Sequence, residues 1–507
     1  MSTTASPSVD LDKISGSANS TDSRRWLALT VIAIAQLMVV LDASIVTIAL
    51  PRAQADLGIS DADRQWIITA YTLAFGGLLL LGGRIADFVG RKRIFLIGLL
   101  GFAAASALGG AAQNEAMLFG ARALQGAFAA LLAPAALSLI TVTFTAPRER
   151  AKAFGVYGAI SGGGAAIGLI LGGVLTEYAS WRWCLFVNVP IAIAAALAAL
   201  PTVHESRAEG DRHYDVPGAV LVTGGLVALV YGFTEAAKPG VGWLSVQTLT
   251  LLAVAAVLLI GFVMVERRTA HPLLPLPIVT DRNRGGSFLA SLLVGAGLFA
   301  MFLFLTYYFQ INLGYSPLKS GFAFLPFSLG IIATAGVASA LLPRTGAKPL
   351  MVSGLALATA GLFYLTQLGT DSSWLTHVLP AEIVMSVGMA LVFVPLSSLA
   401  LFGIAPRDAG VASALLNTTQ QVGGSLGTAL LNTLYASAVT GYLTSHSAGS
   451  AGKTALQLEA YLHGYRVAFV IGGFLLAAAL LVVVLAVNAK RDDAVAPQLE
   501  EVVPVPA

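Results

Sequence analysis

Charge is scarce in this sequence. Only 11% of its residues are Asp, Glu, Lys or Arg, against roughly 25% in a soluble domain. A chain so poor in charge cannot cover a folded surface that faces water on all sides. Cysteine is scarcer still. The single Cys184 excludes an intramolecular disulfide and a multi-cysteine metal site. The His residues stand singly, and no His, Asp and Glu gather at metal-ligand spacing, so neither a metal nor a cofactor is expected. A net charge of only +3 gives no electrostatic reason for a nucleic-acid partner. No G-x-x-x-x-G-K-[ST] loop is present, which removes the evident route to ATP. The first 23 residues, rich in Ser, Thr and Asp, lack the basic start and short apolar core of a cleaved signal peptide.

Apolar residues are abundant: 57% of the chain is hydrophobic, with a mean hydropathy of +0.81. This is the composition of a polytopic all-α membrane protein. A span needs about 20 apolar residues at ~1.5 Å rise each. Runs of that order lie at 26–50, 65–83, 94–113, 117–140, 153–177, 184–201, 217–236, 246–265, 286–312, 321–343, 349–369, 378–403, 410–438 and 465–488. Fourteen helices are therefore expected. Loop charges test the count. With the N-terminus in the cytoplasm, 21 Lys and Arg fall on the cytoplasmic side and 7 on the outer side, and Arg122 lies within a span. That asymmetry obeys the positive-inside rule and puts both termini in the cytoplasm.

The layout reads as 6+2+6. A disordered tail (1–24) precedes a six-helix bundle (25–202). A linker with two extra spans (203–284) leads to a second six-helix bundle (285–489) and a tail (490–507). A weak internal repeat joins the bundles: Gly90 and Lys92 of "DFVGRKR" match Gly346 and Lys348 of "PRTGAKP". Parallel halves of this kind suggest a transporter with its site near the membrane midplane.

The loop after the second span reads "GGRIADFVGRKR". Its charges alone would serve as a topogenic basic loop. The ordered spacing of Gly83, Asp87, Gly90, Arg91 and Lys92 is harder to reach by chance, and it resembles the signature loop of the major facilitator superfamily, G-x-L-A-D-r-x-G-r-k. The resemblance implies a latch at the cytoplasmic gate, with Asp87 near the start of the thirteenth span at "RDAG" (407–410). "LDASIVTIALP", containing Asp42, resembles the first-helix motif of the fourteen-helix drug–proton antiporter family, and "ARALQGAFAALLAPA" resembles its R-x-x-Q-G motif with Arg122, Gln125 and Gly126. "SWRWCLFVNVPIA", "YFQINLGYSPLKSGFAFLP" and "RDAGVASALLNTTQQVGGSLG" also look like this branch. In the fifth span Gly155, Gly164, Gly168, Gly172 and Gly173 match the antiporter pattern, but Leu169 stands at its proline. Gly164, Gly168 and Gly172 make a small-residue stripe, which helix packing alone would explain.

An ionisable residue inside a span is expensive and functional by default. Asp42 and Arg122 lie at similar depths in the first and fourth spans. A structural ion pair is one reading. The other is that Asp42 takes up a proton and Arg122 tunes it. Glu382 is a further candidate acid and also reads as an interfacial one; Glu235 reads as interfacial. Asn417 and Gln421 share a face and, with Gln420, are expected to form interhelical hydrogen bonds. Gln125, Gln310 and the aromatics Tyr71, Phe154, Tyr157, Tyr307, Tyr308 and Phe309 are cavity candidates, although aromatics in spans more often pack.

The family resemblance implies export of amphipathic, drug-like or antibiotic compounds across the cytoplasmic membrane in exchange for protons. The alternative is a dedicated exporter of one endogenous metabolite: a self-made antibiotic, siderophore or lipid precursor. An enzyme would need convergent catalytic groups, and none is found. A channel would not need the latch loop. The expected partners are an amphipathic small molecule, protons and the bilayer, and the chain is read as a monomer.

Overall fold

The structure is a computed structural model. It describes residues 11–207, 215–238, 240–269, 272–274, 276–401, 404, 409–446 and 452–488. Among these the regular structure is helical throughout. The first group is α1 (Leu11–Leu57), α2 (Trp66–Val89), α3 (Arg91–Gly110), α4 (Glu115–Thr143), α5 (Pro147–Tyr178), α6 (Trp183–Phe186) and α7 (Asn188–Thr202). Next come α8 (Val216–Ala237), α9 (Val246–Arg268) and the short α10 (Leu276–Thr280). The last group is α11 (Arg282–Tyr307), α12 (Pro317–Ala323), α13 (Leu325–Thr345), α14 (Ala347–Tyr364), α15 (Leu379–Leu401), α16 (Ala409–Ser445) and α17 (Lys453–Ala486). α1 starts at Leu11, inside the segment read as a disordered tail. Once an apolar span has nucleated a helix, adding residues to its end costs little.

Twelve described helical segments are long and apolar enough to cross a membrane. α5 and α16 are continuous helices of spanning length as well; glycine and polar residues dilute α16. Several ends are set by residues the sequence names. Asn114 caps α4 by accepting from the Met117 amide at 2.9 Å. Ser316 and Asp281 cap α12 and α11 in the same way, each satisfying an amide that the helix leaves open.

The two groups pack by the same plan. α2 lies on α4, α3 on α4 and α7, and α1 on α5 and α7. In the second group α13 lies on α15, α14 on α15 and α17, and α11 on α16 and α17. The repeat in the sequence has a physical counterpart. Gly90 and Gly346 both take positive φ, 131° and 80°, between consecutive helices. Lys92 Nζ donates to the Leu200 carbonyl at 2.7 Å, and Lys348 Nζ to the Val484 carbonyl at 2.8 Å. Each lysine thus satisfies one open C-terminal carbonyl of the last helix of its own half.

The halves meet chiefly through α2 against α16 and α5 against α12. α8 rests on both α2 and α16. Gln65 Nε2 donates to Thr234 Oγ1 at 2.6 Å, and Thr433 Oγ1 donates to the Phe233 carbonyl at 2.8 Å. One end of α8 is therefore bonded to both halves, at the end of the bundle remote from the termini, hereafter the far end. Thr72 and Ser425 join α2 to α16 deeper in, at 2.5 Å.

Helices approach most closely at glycines. A Cβ on Gly126 would strike the Tyr71 carbonyl, and one on Gly82 the Ala130 carbonyl. Lipid offers no hydrophobic drive between helices, so such close packing supplies the cohesion. Gly126→Val is expected to separate α2 from α4 and to lower stability by about 2 kcal/mol or more. Thermal unfolding of the purified protein in detergent checks this, with Gly120→Val as the control at a position with open space.

Candidate functional site

Asp42 sits near the middle of α1 and is wholly buried, at 0% exposure. Its carboxylate receives three donors. Arg122 Nη1 reaches Oδ2 at 2.6 Å, while Gln125 Nε2 and Asn188 Nδ2 reach Oδ1 at 2.9 and 2.8 Å. Arg122 and Gln125 lie one turn apart on α4, so both face α1. Asn188 comes from the first turn of α7. Arg122 is held as well: its Nε donates to the Ile67 carbonyl at 2.9 Å, its Nη1 also donates to Gln125 Oε1 at 2.9 Å, and its guanidinium lies 4.5 Å over the Tyr71 ring. Gln125 Nε2 also donates to Ser106 Oγ at 2.7 Å. The charge is thus paired and nearly saturated with hydrogen bonds, the condition under which a buried ion pair survives in an apolar medium.

Two orphans border the cluster. The Tyr71 hydroxyl and Asn188 Oδ1 are buried without a hydrogen-bond partner. Chemically the cluster can hold a proton or release one. A proton on Oδ2 would compete with the Arg122 bond and leave the arginine anchored to Ile67 and Gln125.

The other candidates scatter. Glu382 is wholly buried on α15, away from the Asp42 cluster, and neither carboxyl oxygen has a hydrogen-bond partner. It is not the interfacial acid that its place near a span end allows. Glu235 pairs with Lys238 at 2.7 Å. Tyr157 donates to Gln36 Oε1 at 2.7 Å, between α5 and α1. Gln310 Nε2 donates to the Ile48 carbonyl at 2.9 Å and bridges the halves. Tyr308 and Phe309 are buried in the core of the second half, where they pack. Asn417 is not interhelical: its Nδ2 donates to the Ser413 carbonyl one turn back, at 3.1 Å. A short amide on a helix reaches its own backbone more easily than a neighbouring helix. Gln421 lines α16 against Gly76 of α2.

In the signature loop Asp87 pairs with Arg91 at 2.8 Å. Gly83 lies against Pro134. The turn at Gly90 is closed by Glu205, which accepts from the Lys92 and Arg93 amides at 3.1 and 3.2 Å. Arg407 and Asp408, where Asp87 was expected to dock, lie outside the described residues. In α5, Gly164, Gly168 and Gly172 press on Val40, Ser44 and Ile45 of α1, and Gly173 on Leu318 of α12. Gly155 faces open space. Leu169 is buried, and its carbonyl abuts Gly321 of α12.

A second polar cluster lies at the far end, around Arg64 in the loop between α1 and α2. Arg64 is 1% exposed and bonds Asn432 of α16 at 3.0 Å. The sequence reading missed Asn188, Ser106, Arg64 and Asn432. Asn188 had a signal, a polar residue inside the apolar stretch of "FVNVPIA"; Arg64 had none, since it reads as an ordinary loop charge.

Known proteins place the chain. The Major Facilitator Superfamily model matches residues 32–428. The puromycin resistance protein pur8 of Streptomyces alboniger is 52% identical over 90% of this chain and 91% of its own length. The cephamycin export protein CmcT of Amycolatopsis lactamdurans is 40% identical over 82% of this chain and 86% of its own. Among solved structures, a bacterial homologue of the human lysosomal transporter Spinster, in an inward-facing and unoccupied conformation, superposes with a TM-score of 0.63 at 17% identity, covering 91% of this chain and 97% of that one. The chain belongs to the major facilitator superfamily. It is a multi-pass cell-membrane transporter of small molecules and not an enzyme.

Arg122→Leu would leave Asp42 buried without its counter-charge, so a loss of about 3–5 kcal/mol is expected. Adding Asp42→Asn to that variant should recover most of it. Chemical unfolding of the four proteins of this double-mutant cycle measures the coupling.

Proposed function

We propose that this transporter exports amphipathic, antibiotic-like compounds in exchange for protons, with Asp42 as the coupling carboxylate. The observation that carries this reading is the Asp42 cluster: one carboxylate shared by donors from α4 and α7. An apolar residue would fill the same place in α1 at far lower cost. Taking up a proton neutralises Asp42 and loosens α1 from both partners. A bistable bundle can read such a change as a shift between inward- and outward-facing states. The names of the relatives, puromycin resistance and cephamycin export, support antibiotics as the substrate class.

Fourteen spans complete the reading, with α5 and α16 crossing alongside the twelve apolar segments. The asymmetry of loop charge then puts both termini in the cytoplasm and the far end outside. Gly83, Asp87, Gly90, Arg91 and Lys92 form the cytoplasmic gating loop in this scheme. Phe154, Tyr157, Gln310, Asn417 and Gln421 are the cavity candidates whose side chains are not wholly buried. A second reading keeps the fold and narrows the cargo to one self-made compound. The single-antibiotic names of the same relatives favour it.

Right-side-out vesicles with an imposed pH gradient test both readings. Wild type is expected to move a fluorescent cationic dye only while the gradient lasts. Asp42→Asn should lose gradient-driven transport by at least tenfold yet keep dye binding. If Asp42→Asn still transports against the gradient, Glu382 becomes the coupling acid, and Glu382→Gln should then abolish the response. A wild type that moves no dye but does move puromycin supports the dedicated reading.

A further inference from the structure

The Arg64 guanidinium is caged by aromatic rings. Its central carbon lies 4.0 Å over the Tyr307 ring and 4.6 Å over the Tyr435 ring. Tyr435 is stacked in turn on Tyr465 at 5.2 Å and on Phe304 at 5.3 Å. Directional bonds are few. Nε donates to Asn432 Oδ1 at 3.0 Å, Nη1 lies 3.6 Å from Asp61, and Nη2 is buried without a hydrogen-bond partner. The grip is therefore mainly of charge on ring faces, an attraction that strengthens once water is excluded.

The cage and its occupant belong to different halves. Arg64 and Asp61 stand in the loop between α1 and α2. Tyr307, Tyr435, Tyr465 and Asn432 stand on α11, α16 and α17. Gln54 of α1 ties the two sides together: it accepts from the Tyr307 hydroxyl and donates to Asp61 at 2.7 Å. Any parting of the halves at this end carries Arg64 and Asp61 away together and leaves the tyrosines behind. An emptied cage of tyrosine faces at an opening cleft is a cation site. It demands no fixed pattern of donors, so it suits an alkylammonium with an apolar skirt better than a compact, strongly hydrated ion.

We propose that Tyr307, Tyr435 and Asn432 form an outer release site for organic cations, from which Arg64 displaces the ligand when the halves close. Arg64 is then a resident competitor. It seals the outer end in the closed state and clears the site before the next cycle. This assignment rests on the export reading for its direction, since that reading makes the far end the outer one.

Equilibrium dialysis of the full-length protein in detergent tests the site, with radiolabelled benzyltrimethylammonium as the probe. No proton gradient is involved, so a failure of proton coupling at Asp42 leaves the result readable. Arg64→Ala is expected to bind the probe about tenfold more tightly than wild type. Arg64→Lys should bind like wild type, and Arg64→Ala combined with Tyr435→Leu should lose the gain. An Arg64→Ala protein that binds no more tightly overturns the proposal, as does a gain that survives Tyr435→Leu. Should Arg64→Ala not fold, right-side-out vesicles decide. External benzyltrimethylammonium should slow wild-type dye export, and Tyr435→Leu should need about tenfold more of it. An unchanged half-inhibiting concentration overturns the proposal.

Discussion

Asp42 imposes a demand that three helices meet together. A carboxylate within a membrane-spanning segment has no water to solvate it, so its partners must come from the protein. Arg122, Gln125 and Asn188 supply them, and each must arrive in one orientation. Arg122 is oriented by the Ile67 carbonyl and the Tyr71 ring, and Gln125 by Ser106. Ser106 brings α3 into the arrangement and Ile67 brings α2. Most of the first half is therefore organised around one negative charge. Glycines such as Gly126 let α2 and α4 come close enough for Tyr71 to underlie the arginine.

Much of this was legible in the chain itself. Each apolar run of spanning length overlaps helix among the described residues, because length and hydropathy are local properties. The pairing of Asp42 with Arg122 was open to reading from their similar depth only together with the family resemblance, which implies that the first and fourth spans line one central cavity. The equivalence of Lys92 and Lys348 could be read from a repeat of only a few residues, since the turn geometry at Gly90 and Gly346 constrains both copies alike. The fifth-span glycines were readable as a packing stripe, but not the identity of the helix they press on.

What escaped was set by distant partners. Arg64 reads as a loop cation, and its burial depends on Asn432, Tyr307 and Tyr435, hundreds of positions further along. Glu382 can be read either as a coupling acid or as an interfacial one because it lies close to a span end, and only the packing shows that its side chain is wholly buried. Asn417 failed for the opposite reason: the nearest acceptor was on its own helix. In each case composition gives the polarity of the residue, and only the packing decides what it meets.

The strap formed by α8 bears on time as well as on shape. Its bonds from Phe233 and Thr234 hold both halves together at one end. Bonds broken on opening are remade on closing, so over a full turnover they add no net work. They lengthen the wait in the state that keeps them intact. A carrier resting with that door shut leaks less between cargoes, and its idle rate is governed by how seldom the strap lets go. The α8 strap thus adds dwell to the state in which both bonds are intact, and it does so without touching Asp42 or its partners.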